Sequence, residues 1–322
     1  MNKPVTAPNP NPTADEVERA WKDPKLANVL YHDWEASTYD EKWSISYDER
    51  CIDYARDRFV AAVGRDDMAR WPYGEVLELG SGTGFFLLNL MQAGVATKGH
   101  VTDLSPGMVE AAVRNGTELG LDVEGRVADA ESIPYDDASV DLVVGHAVLH
   151  HIPDVELALR EVLRVLRPGG RFVFAGEPTT IGDWYARRLG RLTWEATTAV
   201  THLAPLRQRW SRPAEELAES SRAAALEAVV DIHTFDPRAL AATALRAGAI
   251  DVRTATEELT AAFLGWPVRT FEAAVNPQRL GMRWAMFAYR SWQRLSAVDR
   301  VLAHALPQRL FYNVLLTGSR PE

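Results

Sequence analysis

The sequence predicts an α/β fold built on a doubly wound, mostly parallel sheet. Three observations predict it. An apolar run, Val76-Leu77-Glu78-Leu79, leads straight into Gly80-Ser81-Gly82-Thr83-Gly84. Nineteen residues after Gly84 a second run ends in a carboxylate, Asp103. Short apolar runs such as Leu142-Val143-Val144 then alternate with helix start and stop signals. That alternation suits parallel strands covered by helices on both faces.

The elements follow in order. The first strand is predicted over Glu75 to Leu79, with a helix opening at about Phe85. Gly80 allows a sharp exit from the strand, because without a Cβ it takes positive φ freely. Gly82 lets a ligand lie on the backbone, and Gly84 lets the helix start close to the sheet. Free N–H groups of such a loop point into the crevice beyond the strand and suit an anionic or polar ligand end. The second strand runs from Ala96 to Asp103. A carboxylate at that tip can accept from both hydroxyls of a ribose. Ser105-Pro106 is an N-cap followed by proline at the first helical position, and Gly120 closes that helix. A third strand is predicted to end in Ala128-Asp129-Ala130, and a fourth spans Ser139 to His146. Asp154 caps a helix expected to stop at Pro168-Gly169-Gly170, and the fifth strand is Arg171 to Glu177. A capped helix starts at Phe235-Asp236-Pro237 and ends at Gly248. Ile250 to Ala255 reads as strand six, and Leu310 to Gly318 as the last strand.

To this point a nucleoside-bearing cofactor is implied, and NAD and S-adenosylmethionine both fit. The loop, however, is Gly-x-Gly-x-Gly rather than the Gly-x-Gly-x-x-Gly of the dinucleotide fingerprint. The blocks that follow, Gly145-His146-Ala147-Val148-Leu149-His150-His151-Ile152-Pro153-Asp154 and Leu163-Arg164-Val165-Leu166-Arg167-Pro168-Gly169-Gly170, complete a specific succession. It closely resembles the class I S-adenosylmethionine-dependent methyltransferases, in the small-molecule, UbiE-like (methyltransferase domain 11-like) branch. The resemblance covers Tyr73 to about Pro178, roughly a third of the chain. It implies a Rossmann-like seven-stranded sheet whose last strand is antiparallel. It also implies a set of cofactor contacts. Gly80, Ser81, Gly82 and Gly84 would lie along the methionine part, supported by Glu78. Asp103 would hold the ribose. Leu104 and Met108 would flank the adenine, and Asp129 with Ala130 would meet its amino group. Gly145 and His146 would meet the methionine amino end, and Tyr39, within Trp34-Glu35-Ala36…Tyr39-Asp40, would cover the cofactor.

The rest of the chain is divided as 1–15, a Pro- and Asn-rich disordered leader; 16–72, an aromatic-rich helical cap; 73–178, the cofactor core; 179–233, a helical insertion read as a substrate lid; 234–258, a return to the core; 259–306, a second helical insertion; and 307–322, the last strand and tail. The second insertion puts about 50 residues between the last two strands, too many for a plain loop. All ten tryptophans fall outside Tyr73–Pro178. They read as docking residues of added helices and, as a set, as the wall of an apolar chamber. The arginine groups Arg187-Arg188-Arg191 and Arg207-Arg209-Arg212 read as a solvated helix face, with an acidic substrate group or anionic membrane as the alternative.

Composition narrows the classes. Net charge is −9, which argues against general affinity for nucleic acid. No run of about 18 apolar residues is present and no secretory signal pattern opens the chain. Cys51 is the single cysteine, so a reducing, cytoplasmic location is expected. The expected reaction is methyl transfer to a small apolar or amphipathic metabolite, lipid-like or aromatic, with oxygen the favoured acceptor atom. His146, His151 and Glu177 are the candidate bases, His146 foremost because it ends strand four. The imidazoles have a second reading as fixtures of the turn. No metal is expected. The alternatives are an NAD-dependent oxidoreductase and a non-catalytic cofactor-binding scaffold.

Overall fold

The structure is a computed structural model, and it describes residues 18–36, 39–40, 45–212 and 230–322. The expected leader, Trp43 and residues 213–229 of the first helical insertion lie outside the described residues. Seven strands form one sheet in the order β3-β2-β1-β4-β5-β7-β6. They are β1 Tyr73–Leu79, β2 Ala96–Asp103, β3 Asp122–Val127, β4 Val140–His146, β5 Leu166–Pro178, β6 Ile250–Glu257 and β7 Asn313–Ser319. Neighbours among β1 to β5 pair in parallel, and β7 runs antiparallel to both β5 and β6.

Alternation along the central strands builds two cores. Leu77, Leu79, Val143, Phe172 and Phe174 face one side, where they pack on α5 (Val155–Val165) and α8 (Pro237–Ala247) through Leu159, Val162, Leu163, Leu240 and Ala244. Val76, Leu142, Val144, Val173 and Ala175 face the other. There they meet α2 (Glu49–Val63) and α3 (Phe85–Gln92) through Ala55, Phe59, Phe86 and Leu87. Successive side chains of a strand point to opposite faces, so strands that are apolar throughout bury both.

The helices begin where capping chemistry places them. α4 (Pro106–Glu118) starts at Ser105, whose hydroxyl accepts from Met108 N. α5 starts at Asp154, which accepts from Leu157 N, and α8 starts at Asp236 and ends at Gly248 in the left-handed region. α1 (Pro24–Glu35) packs against the start of α4 through Asp33, and α6 (Thr180–Thr201) and α7 (Ala204–Trp210) follow β5. α9 (Thr260–Ala274) and α10 (Met282–Leu302) fill the stretch between β6 and β7.

Several boundaries differ from expectation, three of them with structural consequence. β3 stops at Val127, so Asp129 and Ala130 lie in the turn beyond it, where Asp129 bridges to Ser132. α5 ends at Val165, and Leu166 to Gly170 already belong to β5. Leu166 pairs with Val140, while Gly169 and Gly170 bond the backbone of Arg320, so a distant segment captures the Pro-Gly-Gly turn. Leu310 lies in a short 3₁₀ turn, Gln308–Leu310, before β7.

Candidate functional site

β1 and β4 are adjacent although two strands separate them in sequence, and a crevice opens beyond their C-terminal ends. Doubly wound sheets bind ligands at such a point. Gly80 leaves β1 at φ +57°, and a Cβ there would lie 2.2 Å from Val148 Cγ2. Gly84 caps α3 in the left-handed region, where a Cβ would stand 2.7 Å from Leu88 Cδ1. Ser81 N donates to the Thr102 carbonyl at 2.9 Å, and Gly82 N donates to Asp103 Oδ2 at 3.0 Å. The other oxygen of Asp103 accepts from Ser105 N at 2.9 Å. Burial pushes the Asp103 carboxyl up to about 6, against the pull of these backbone donors. Glu78 is buried and accepts from Leu87 N at 3.3 Å, which ties β1 to α3. Burial raises its carboxyl well above the usual range, and the charge of Asp103 adds to the rise.

The loop is clamped from outside. Tyr47 donates to the Thr83 carbonyl at 2.8 Å, Thr83 donates to Asp40 at 2.5 Å, and Tyr39 lies over Gly82. Asp33 of α1 accepts from Ser105 Oγ and from Gly107 N, binding α1 to the start of α4. Lys25 of α1 reaches Asp129 at 2.6 Å and Glu131 at 2.5 Å.

His146 ends β4 against Phe85 and Phe86, with its Nε2 3.3 Å from Tyr54 Oη. Burial, aided by the positive charge of Arg58, lowers its pKa to about 4, so the ring is neutral near pH 7. His150 follows in a short 3₁₀ turn. Its Nδ1 lies 2.8 Å from Glu177. Burial opposes its protonation, but the bond to Glu177 and that carboxylate's charge raise its pKa overall. His151 lies against Val230 O at 3.1 Å, and burial holds its pKa well below the usual range, with the His150 and His32 charges next.

Glu177 is not placed to act as a base. It is wholly buried, and its two oxygens accept from Val148 N, Leu149 N, His150 N and His150 Nδ1. Its acceptor capacity is spent on shaping the turn after β4.

A cavity of about 1830 Å³ connects these groups. Tyr39, Glu78, Gly80, Ser81, Gly82, Asp103, Leu104, Asp129 and Ala130 line one end, and His146, His150 and His151 border its middle. Gly84, Met108, Gly145 and Glu177 do not line it. Met108 is fully buried in the first turn of α4, and Gly145 makes room for Val148 and Phe174. The far end lies between α2, β6, α9 and α10, and it corrects the expectation of an apolar chamber. Trp266 and Trp292 line it, but Trp184 and Trp21 are exposed. Beside the rings sits buried charge. Arg58 stacks on Tyr54 at 3.5 Å and pairs with Glu257 at 3.1 Å and Glu258 at 3.6 Å. Glu258 has φ +65°, and burial together with the Glu257 charge raises its pKa to about 7. Arg58, Glu257 and Glu258 were missed in the sequence because they come together from separate elements and form no motif. The two arginine groups are partly engaged: Arg187 pairs with Asp183 at 2.7 Å, Arg188 lies over Trp184, and Arg212 donates to the Ala273 carbonyl at 2.9 Å.

None of the described helices is long and apolar enough to cross a membrane.

Comparison with known proteins bears on this geometry. Residues 77–174 match the family model described as "Methyltransferase domain". A protein of transposon TN4556 from Streptomyces fradiae is 35% identical over 55% of this chain and 49% of its own length. A malonyl-[acyl-carrier protein] O-methyltransferase from Methylococcus capsulatus is 34% identical over 41% of this chain and 46% of its own. A ubiquinone/menaquinone biosynthesis C-methyltransferase from Bartonella tribocorum is 30% identical over 37% and 45%. The chain thus spans about half the length of the curated relatives it matches. A solved structure of a candidate sarcosine dimethylglycine methyltransferase from Galdieria sulphuraria superposes with TM-score 0.51 at 12% identity, covering 89% of this chain and 98% of that one. Its likeness concerns the fold. Residues 77–174 are therefore similar to a methyltransferase domain, set within a longer chain.

Proposed function

We propose that the protein transfers a methyl group from S-adenosylmethionine to a small amphipathic acceptor. The observation that carries the reading is the Asp103–Gly82 pair at the switch point of the sheet. The Asp103 carboxylate accepts from Gly82 N and Ser105 N and lines the cavity, where a buried carboxylate suits ribose hydroxyls. Leu104, Asp129 and Ala130 line the adenine side in this reading, Gly80 to Gly82 the methionine side, and Tyr39 closes over Gly82. When bound, the cofactor supplies an electrophilic methyl group on a sulfonium.

The protein's part is then to align, to exclude water and to receive a proton. A neutral His146 beside the sulfonium avoids repulsion between two cations. His150 presents Nε2 to the acceptor side, because Glu177 holds its other nitrogen. A lone pair there favours an ionising hydroxyl, by taking its proton or through a cation that it holds, so oxygen is the acceptor atom we propose, although the names of the relatives divide between oxygen and carbon. The far end of the cavity, with rings beside buried charge, suits an acceptor that carries a polar group on an apolar body. α6, α9 and α10 would form its lid.

The test is direct. Calorimetric titration with S-adenosylmethionine, S-adenosylhomocysteine and NAD should give saturable binding of the first two only. Release of S-adenosylhomocysteine with a panel of phenols, fatty acids and polyketide-like alcohols would identify the acceptor class. Tight binding of NAD with no response to the sulfonium overturns the reading.

A further inference from the structure

We propose that His150, His151 and Asp231 bind one divalent first-row metal ion, of the zinc type, on the acceptor side of the cavity. One donor atom of each residue lies within 4.8 Å of the other two, and all three residues line the cavity. His150 Nε2 is 3.7 Å from Asp231 Oδ1, and His151 Nδ1 is 3.5 Å from the same oxygen. Bonds of about 2.0–2.2 Å at tetrahedral angles place donor atoms about 3.3–3.6 Å apart, so little rearrangement is needed to seat an ion.

The support behind the donors points the same way. Glu177 takes the Nδ1 proton of His150 at 2.8 Å, which leaves the lone pair on Nε2. A carboxylate behind an imidazole is the usual outer shell of a metal-bound histidine, fixing its tautomer and orientation. Glu177 is itself anchored by three backbone N–H groups, so His150 cannot turn away. A lone pair so presented can take a proton or a cation, and Asp231 Oδ1 at 3.7 Å together with a His151 donor within 4.8 Å favours the cation. His151 faces Val230 O across 3.1 Å through the same nitrogen, so ligation there would move the ring proton to Nε2 and release that carbonyl. Two imidazoles and one carboxylate select zinc and its neighbours over magnesium or calcium, which prefer oxygen alone.

Three protein ligands leave a position open toward the cavity. A hydroxyl of the acceptor coordinated there would release its proton to solvent and receive the methyl group as the bound alkoxide. This role rests on the methyltransferase reading above; the site itself does not.

The test uses untagged full-length protein stripped with chelator. Zinc titration against a chromophoric chelator should show one ion per chain. Asp231→Asn and His151→Phe should each weaken binding at least tenfold, and Glu177→Gln by about 10- to 100-fold. Circular dichroism and binding of S-adenosylmethionine check that the variants fold. Independently, Co²⁺ added to the unaltered protein should give the intense visible bands of a four-coordinate site. No stoichiometric zinc in the wild type, zinc affinity unchanged in both ligand variants, or only the weak spectrum of six-coordinate Co²⁺ overturns the proposal. Binding of S-adenosylmethionine without zinc would sink this site alone, and zinc without S-adenosylmethionine would sink the methyltransferase reading alone.

Discussion

Gly80 and Asp103 carry the crevice at the scale of single residues. Gly80 sits in a left-handed conformation with Val148 where its Cβ would be. Gly80→Ala is expected to cost about 2 kcal/mol or more in stability, from backbone strain plus overpacking. Urea denaturation measures it, and an unchanged midpoint would show that the loop and the turn after β4 are not in contact. Asp103 should govern cofactor affinity. Asp103→Ala should weaken S-adenosylmethionine binding by about 1–3 kcal/mol, since the ribose loses a charged acceptor. Burial raises this carboxyl to about 6, so the empty site is increasingly protonated as pH falls below that value. A ligand that needs the ionised form must then bind less well on acidification, by about tenfold between pH 7 and pH 5. Calorimetry at the two values decides it, and affinity that rises toward pH 5 would exclude an ionised Asp103 as the partner of the ribose.

Among the elements, the contact of α2 with β6 is the most exposed to damage by one change. Arg58 of α2, itself buried, offsets two half-buried carboxylates at the end of β6. Arg58→Ala would leave Glu257 and Glu258 facing each other in low dielectric, at an expected cost of about 3–5 kcal/mol. Adding Glu257→Gln to that variant should restore part of the loss. A thermal melt of both variants checks this, and no recovery would mean that the lost packing on Tyr54, not charge, dominates. α9 shows how an element is finished from afar. No side chain near its start caps it; Asp299 of α10 instead accepts from Leu259, Thr260 and Ala261 N–H.

For the whole molecule the cavity couples the two ends of the chain. α1 reaches Asp129 through Lys25 and α4 through Asp33, while the stretch between β6 and β7 closes the far wall. A ligand that fills the near end binds only the folded chain. S-adenosylmethionine at 100 times its dissociation constant should therefore stabilise by about 2.7 kcal/mol. That corresponds to a rise of about 4 °C in melting temperature. Scanning fluorimetry with NAD as the control reads it, and equal shifts from both ligands would count against the assignment.

What the sequence determined by itself was local: the strand–loop–helix at Val76 to Phe85, Asp103 at its strand tip, the caps at Ser105, Asp154 and Asp236, and the succession of strands along the chain. These depend on backbone conformation, capping and side-chain periodicity, which a few adjacent residues set. The candidate site was legible only where it is local. Glu177 read as a base because it follows a strand end, but its burial under three backbone N–H groups depends on how the turn after β4 folds back. Met108 read as a cavity residue, but the rotation of α4 against the core turned it inward. The Arg58–Glu257–Glu258 group and the juxtaposition of His150, His151 and Asp231 were settled by tertiary structure alone. Their members lie up to 200 residues apart, as the 199-residue separation of Arg58 and Glu257 shows. Only packing of the added helices on the sheet sets such distances, because no local spacing rule reaches that far.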